Sequence, residues 1–153
     1  LEPFIKSSGH SEFVYPSPAY GFAQVAIAAC CKKHGKKAVI FVAKRNTLYK
    51  YTQIAQSLGA TICQVPDGRL VVVSKRAKDY VAASPTTRHM IRWGASDPQT
   101  LENLIKSLQK IEPKMRNKRV WVCVGSGTLL TAMAAAWPKT RFMCLIVGAN
   151  HDM

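Results

Sequence analysis

The stretch "KAVIFVA", residues 37–43, constrains this chain most. It is a short, continuous apolar run rich in β-branched residues. Such a run makes a strand buried on both faces. A strand covered on both sides belongs to a sheet with helices above and below it. The surrounding text supplies them. Residues 20–34 read as a helix rich in small residues, with Gly35 as its stop. Residues 47–58 place Leu48, Tyr51, Ile54, Ala55 and Leu58 on one helical face, and Gly59 ends that helix. Residues 12–15 ("EFVY") and 60–65 ("ATICQV") read as the strands that precede and follow it in the chain.

The alternation continues. Asp67-Gly68 turns the chain into a helix over 69–83, although "LVVV" (70–73) also suits a strand. Residues 89–93 ("HMIRW") read as a strand. Ser96 or Asp97 caps a helix carrying Pro98 in its first turn and Leu101, Leu104, Ile105 and Leu108 on one face. A strand at 119–124, a helix at 128–136 and a strand at 141–147 follow. The fold class is α/β, a parallel sheet flanked by helices. The polar stretch "IEPKMRNK" is the weakest seam. It divides the chain into a small lobe with a crossover helix (1–112) and a partial second lobe (113–153).

Charge narrows the partners. Lys and Arg number 22 against 8 Asp and Glu, a net +14. Clusters fall at 32–37, at Lys44-Arg45, at 69–78 and at 106–119. Solvated faces and helix ends account for part of each cluster, but not for the shortage of carboxylates. The balance favours nucleic acid, a nucleoprotein assembly or phosphorylated ligands. No apolar run reaches the roughly 18 residues of a membrane span, and the start lacks the apolar core of a secretory signal. The five cysteines show no metal-ligand spacing, and read as reduced, mostly buried thiols of an intracellular protein, which places it in the cytoplasm. His10, His34, His89 and His151 read as surface or cap residues, and no metal site is expected. Trp93, Trp121 and Trp137 are expected in or beside the core.

In a parallel sheet, the loops after the strands' carboxyl ends line the binding crevice. Two loops stand out: "SPAYG" (17–21) and "GSGT" (125–128). Both open helices, whose free N–H groups favour phosphate or carboxylate. Gly125 and Gly127 let a ligand approach, while Ser126 and Thr128 offer hydroxyls or a cap. A tight turn, a phosphate cradle and a methyltransferase glycine loop all fit that text. No Gly-Lys-Ser/Thr follows, which excludes a P-loop. Leu130 stands where a dinucleotide fingerprint has its last glycine. Tyr20 either stacks on a planar ligand or anchors its helix to the sheet, and anchoring is the expectation.

The order of these loops resembles pyridoxal-phosphate enzymes of the tryptophan synthase β / cysteine synthase fold. In that family a Ser-Gly-Asn-Thr-Gly-like loop holds the substrate carboxylate, and Ser17-Pro18-Ala19-Tyr20-Gly21 stands in its place. "AVIFVAKRNTLYKYTQIAQSLGATICQVP" is similar to the strand–helix–strand that follows it. "VWVCVGSGTLLTAMAAAWP" resembles the loop that binds the cofactor phosphate. Residues 13–147 carry the likeness, which extends to small phage and bacterial proteins of this fold.

The resemblance implies a lyase or transferase acting on amino-acid-like substrates. Gly125, Ser126, Gly127 and Thr128 would hold pyridoxal phosphate, and Ser17, Ala19, Tyr20, Gly21 and Gln24 would hold substrate. The chain departs from the pattern at several places. Lys6, the sole lysine upstream of the first loop, is the one candidate for the catalytic lysine, and it stands closer to that loop than the family's Schiff-base position. Ala19 and Tyr20 replace Asn and Thr, and Pro18 removes an amide donor. "GANHDM" supplies no partner for the pyridine nitrogen. The alternative is a non-catalytic basic module, a homo-oligomer or part of a larger assembly, docking on nucleic acid or nucleoprotein. A methyltransferase reading would need Asp152 as the ribose-binding acid.

Overall fold

The run at Lys37–Ala43 is a strand, β2, and its five central residues are buried. The computed structural model describes residues 1–66, 68–115 and 117–147. The chain divides into two units, Leu1–Ala95 and Ser96–Met153.

In the first unit β1 (Glu12–Pro16), β2, β3 (Thr61–Val65) and β4 (Arg88–Met90) form one parallel sheet in the order β3-β2-β1-β4. Val14 lies beside Val39 on one side and Met90 on the other. Strand side chains alternate between faces, so the sheet feeds two cores. Phe13, Tyr15, Ala38, Ile40 and Val42 pack with Ile27, Ala28 and Cys31 of α2 (Ala23–Lys33), Ala55 of α3 (Lys50–Ser57) and Ile5 of α1 (Glu2–Ser7). On the other face Val14, Val39 and Phe41 meet Val73 and Ala77 of α4 (Leu70–Ala82). Each fully buried aliphatic side chain contributes about 1.5–3 kcal/mol relative to exposure. The helix at 70–82 thereby settles the ambiguity of "LVVV": the register of Val73 and Ala77 covers the sheet, and tertiary packing overrides β-propensity.

Strands β1, β2 and β3 step outward under α2 and α3, and α4 then returns the chain on the opposite face to set β4 beside β1. The winding direction therefore reverses between β1 and β4. At such a switch point the loops beyond the strands' carboxyl ends separate and leave a crevice.

The second unit holds α5 (Pro98–Gln109), α6 (Glu112–Met115), β5 (Arg119–Val124), α7 (Thr128–Ala136) and β6 (Arg141–Ile146). Strands β5 and β6 pair in parallel. Val122, Met133, Ala136 and Trp137 form its core, with Ile105, Leu108 and Phe142 packed against them. The indole of Trp137 donates to the Leu108 carbonyl at 2.9 Å, and Thr140 Oγ1 donates to the Met115 carbonyl at 2.8 Å. The contacts group α5 with this unit, whereas the sequence division assigned it to the first lobe.

Other expectations change. Trp121 is 75% exposed and Trp93 is also exposed, so only Trp137 of the three is buried. Trp121 lies in register with Met143 on the face of β5–β6 turned away from the unit's core. Cys123 and Cys144 are exposed rather than buried; Cys123 shares the face of Trp121, which the unit's core leaves uncovered. The strand expected at 89–93 stops at Met90; Trp93–Ala95 forms a 3-10 turn with Gly94 at φ +67° and Ala95 at φ +53°. Helix α2 starts at Ala23, not residue 20, because the loop before it turns on itself. No helix among the described residues is long and apolar enough to cross a membrane.

Candidate functional site

The loop at 17–21 leaves β1 at the switch point. Ser17 N–H continues the ladder by donating to the Phe41 carbonyl at 2.8 Å. Its hydroxyl donates to the Pro18 carbonyl at 2.9 Å, and the side chain is buried. Gly21 N–H closes the turn onto the Pro18 carbonyl at 3.0 Å. A Cβ on Gly21 would stand 3.0 Å from Pro18 Cγ and 3.1 Å from Ser17 Oγ, so any larger residue would press on the side chains of this tight turn.

Gln24, the second residue of α2, is fully buried. Its amide donates to the Gly21 carbonyl at 2.8 Å and its Oε1 accepts from Thr52 Oγ1 of α3 at 2.9 Å. A buried amide with both ends engaged fixes geometry. Gln24 is thus placed as a positioning residue, tying the loop after β1 to the helix after β2.

The expected anchoring role of Tyr20 is overturned. The ring is 71% exposed and lies against Tyr49, with centroids 4.4 Å apart. A hydrogen bond between the two hydroxyls holds the Tyr20 phenol above its usual pKa. Pro18 and Gly21 turn the chain outward at this point, carrying the ring away from the sheet.

Across the switch point, β4 leads into residues 91–95. Ile91 is buried in the core on the α2 face, and the Tyr15 side chain reaches the Gly94 backbone. Burial pushes the Tyr15 phenol upward, partly offset by that hydrogen bond. Two successive left-handed residues, Gly94 and Ala95, thus flank the crevice. Gly94 is a turn signal legible in the sequence, whereas nothing in "HMIRW" marks the end of the strand at Met90.

The loop at 125–128 belongs to the second unit. It carries β5 into α7, with Gly127 at the N-cap in the left-handed conformation, φ +79°. The Gly127 carbonyl accepts from Thr131 N–H at 2.9 Å and Thr131 Oγ1 at 3.1 Å. A Cβ on Gly127 would meet nothing within 4 Å, and one on Gly125 only the Val147 carbonyl at 3.9 Å. The hydroxyls of Ser126 and Thr128 lie 3.2 Å apart and exposed. Open space above two glycines, two hydroxyls and the first-turn amides of a nine-residue helix suits a phosphate.

Lys6 stands apart from all of this. It lies in the last turn of α1, whose neighbours belong to the amino edge of the first sheet. Glu2 pairs with Lys33 and His34 at the end of α2, and Lys36, just before β2, donates to the carbonyls of Ser8 and His10. The loop at 17–21 occupies the carboxyl edge, a strand's length away, roughly 17 Å for five residues. Asp152, His151 and the "GANHDM" segment lie outside the described residues. Among the described residues no group of three His, Cys, Asp or Glu is placed to hold a metal.

No family model matches the chain, and no curated protein is similar to it in sequence. Solved structures are similar in fold. An ACC deaminase homologue superposes with TM-score 0.74 at 13% identity, over 89% of this chain and 45% of its own. O-acetylserine dependent cystathionine β-synthase from Helicobacter pylori gives 0.64 at 17% identity, over 91% and 46%. O-acetyl serine sulfhydrylase isoform 3 from Entamoeba histolytica gives 0.68 at 13%, over 87% and 39%. The chain has the tryptophan synthase β / cysteine synthase fold. It spans less than half the length of these solved chains. The loops at 17–21 and 125–128 each join a strand to a helix, one in each unit.

Proposed function

We propose that this chain is a pyridoxal-phosphate-binding domain related in fold to lyases and deaminases of amino-acid-like substrates. One observation carries the reading: the loop at 125–128 is a strand-to-helix turn with open space over Gly127 and exposed hydroxyls at Ser126 and Thr128. Gly125, Ser126, Gly127 and Thr128 hold the cofactor phosphate. Pyridoxal phosphate, when bound, supplies an electron sink for carbanions formed next to an amino group. In the first unit, Gly21 and the opening amides of α2 offer donors to a substrate carboxylate. Ser17 and Gln24 shape that loop from beneath, because their polar groups are engaged within the protein. Lys6 takes no part; its place at the amino edge supports a positionally separate role. The fold match supports the cofactor class, and the substrate and reaction type belong to this proposal.

The test is equilibrium dialysis with pyridoxal phosphate against pyridoxal, which lacks the phosphate. Retention of pyridoxal phosphate at least tenfold tighter is the expected outcome, reduced by Gly127→Val and unchanged by Lys6→Ala. Equal retention of the two compounds, or indifference to Gly127→Val, would sink the assignment of this loop.

A further inference from the structure

The surface at the carboxyl edge of the first sheet has features that a cofactor site does not explain. Tyr20 and Phe22 are 71% and 61% exposed. Each rests on a ring from the segment after β2: Tyr20 on Tyr49, and Phe22 edge-on to Tyr51 with centroids 5.4 Å apart. Two aromatic pairs therefore lie side by side, each bridging the loop after β1 and the start of α3. The Arg45 guanidinium lies 5.9 Å from the Tyr49 ring centre. Lys44 and Lys50 extend the charge, and all three cations are exposed.

The surface is built to hold its shape. Lys44 N–H donates to the Val65 carbonyl at 2.7 Å, and Arg45 N–H to Gln64 Oε1 at 3.1 Å. The Gln24–Thr52 hydrogen bond ties the two ring-bearing segments together from below. The backbone that carries the rings and cations is thus fixed before any partner arrives, which lowers the entropic cost of binding. No Asp or Glu occurs between Glu12 and Asp67, while Lys44, Arg45 and Lys50 fall in the stretch that follows β2. A partner at this edge meets cations and aromatic faces without a competing carboxylate from that segment.

Exposed rings interleaved with cations match one polymer chemistry well. A single-stranded polynucleotide offers flat bases to stack and regularly spaced phosphates to neutralise. A duplex hides its base faces and would use only the charge. We infer that the carboxyl edge formed by Tyr20, Phe22, Tyr49, Arg45 and Lys50 binds single-stranded nucleic acid, by base stacking on the rings and phosphate contact at the cations. Stacking reads no sugar, so ribose and deoxyribose strands are equivalent ligands. The inference does not rest on the cofactor reading and needs no cofactor in its test.

The experiment is fluorescence anisotropy of the full chain with labelled oligo(U), oligo(dT) and duplex DNA, each about 12 units long, the range a stacking site covers. At about 150 mM salt both single strands should bind alike, and at least tenfold tighter than the duplex. Tyr20→Ala/Phe22→Ala should weaken single-strand binding at least tenfold without changing the slope of log affinity against log salt. Tyr20→Phe should keep the affinity, since the ring is retained. Lys44→Ala/Arg45→Ala/Lys50→Ala should lower that slope by about two, at roughly 0.7 per phosphate contact. Far-UV circular dichroism confirms that each variant folds. Duplex binding as tight as single-strand binding overturns the inference. So does full affinity in Tyr20→Ala/Phe22→Ala, or the absence of binding at this salt.

Discussion

Gln24 is the residue on which the geometry of the first loop depends. Its amide has a carbonyl partner on one side and a hydroxyl partner on the other, both inside the protein. Removing the hydroxyl leaves a buried acceptor without its partner, which costs about 1–3 kcal/mol. Thr52→Val keeps the shape and removes only the hydrogen bond. Urea denaturation should therefore show a loss of that size with an unchanged m-value, and an unchanged midpoint would refute the role given to this bond. The family resemblance implies Gln24 as a substrate ligand, whereas both ends of its amide are engaged inside the protein. Nothing local to "FAQVA" tells that Thr52, 28 positions away, claims it. Tyr20 illustrates the opposite case: anchoring its helix to the sheet is the expectation, and a turn set by Pro18 and Gly21 exposes it.

At the scale of elements, each helix or strand sorts its residues by which face it presents. Cys31 of α2 points into the core between helix and sheet, and burial, reinforced by neighbouring Cys30, pushes its thiol up to about 12. Cys123 and Cys144, on β5 and β6, are exposed. Iodoacetamide at pH 8 should therefore modify Cys123 and Cys144 in the native protein and reach Cys31 only after denaturation, read by peptide mass spectrometry. Prompt native labelling of Cys31 would contradict the packing of α2. The same shift carries a sign for stability. The folded thiol keeps its proton towards pH 12, while an unfolded cysteine releases it near 8.5. The contribution is fully present below about pH 8.5 and declines as pH rises towards 12. Much of the element pattern was legible. The bounds of β2, β5 and α7 agree with their sequence runs, because a buried strand or an alanine-rich helix carries its own local signal. The six-residue α1 and the four-residue α6 were not legible. Neither is long enough to display a helical period, and each owes its shape to what it packs on.

On the scale of the whole molecule, the two units differ in how completely they are covered. The first sheet has helices on both faces. The β5–β6 pair has one covered face, while Trp121, Met143 and Leu145 are exposed on the other. Contiguous exposed apolar side chains bind hydrophobic dyes. ANS fluorescence should fall in Trp121→Ser/Leu145→Ser, while thermal stability changes little, by about 0.5 kcal/mol or less for surface positions. A large drop in stability would mean these side chains pack in the native chain. The net charge of +14 acts at this scale too: it sets a long-range attraction for polyanions and says nothing of fold. Where that charge meets exposed rings is a property of the folded chain.

The sequence by itself determined the kinds of element, their order and the α/β class, because hydrophobic period and turn residues act over a few neighbouring positions. It also marked the two strand-to-helix loops. Tertiary structure decided the reversal between β1 and β4, the engagement of Gln24 inside the fold, and the meeting of Tyr20 with Tyr49 and Phe22 with Tyr51 at one edge. The physical reason is range. Periodicity is written between neighbours, whereas exposure and partnership depend on residues far apart in the chain, brought together only when the sheet buries its two faces.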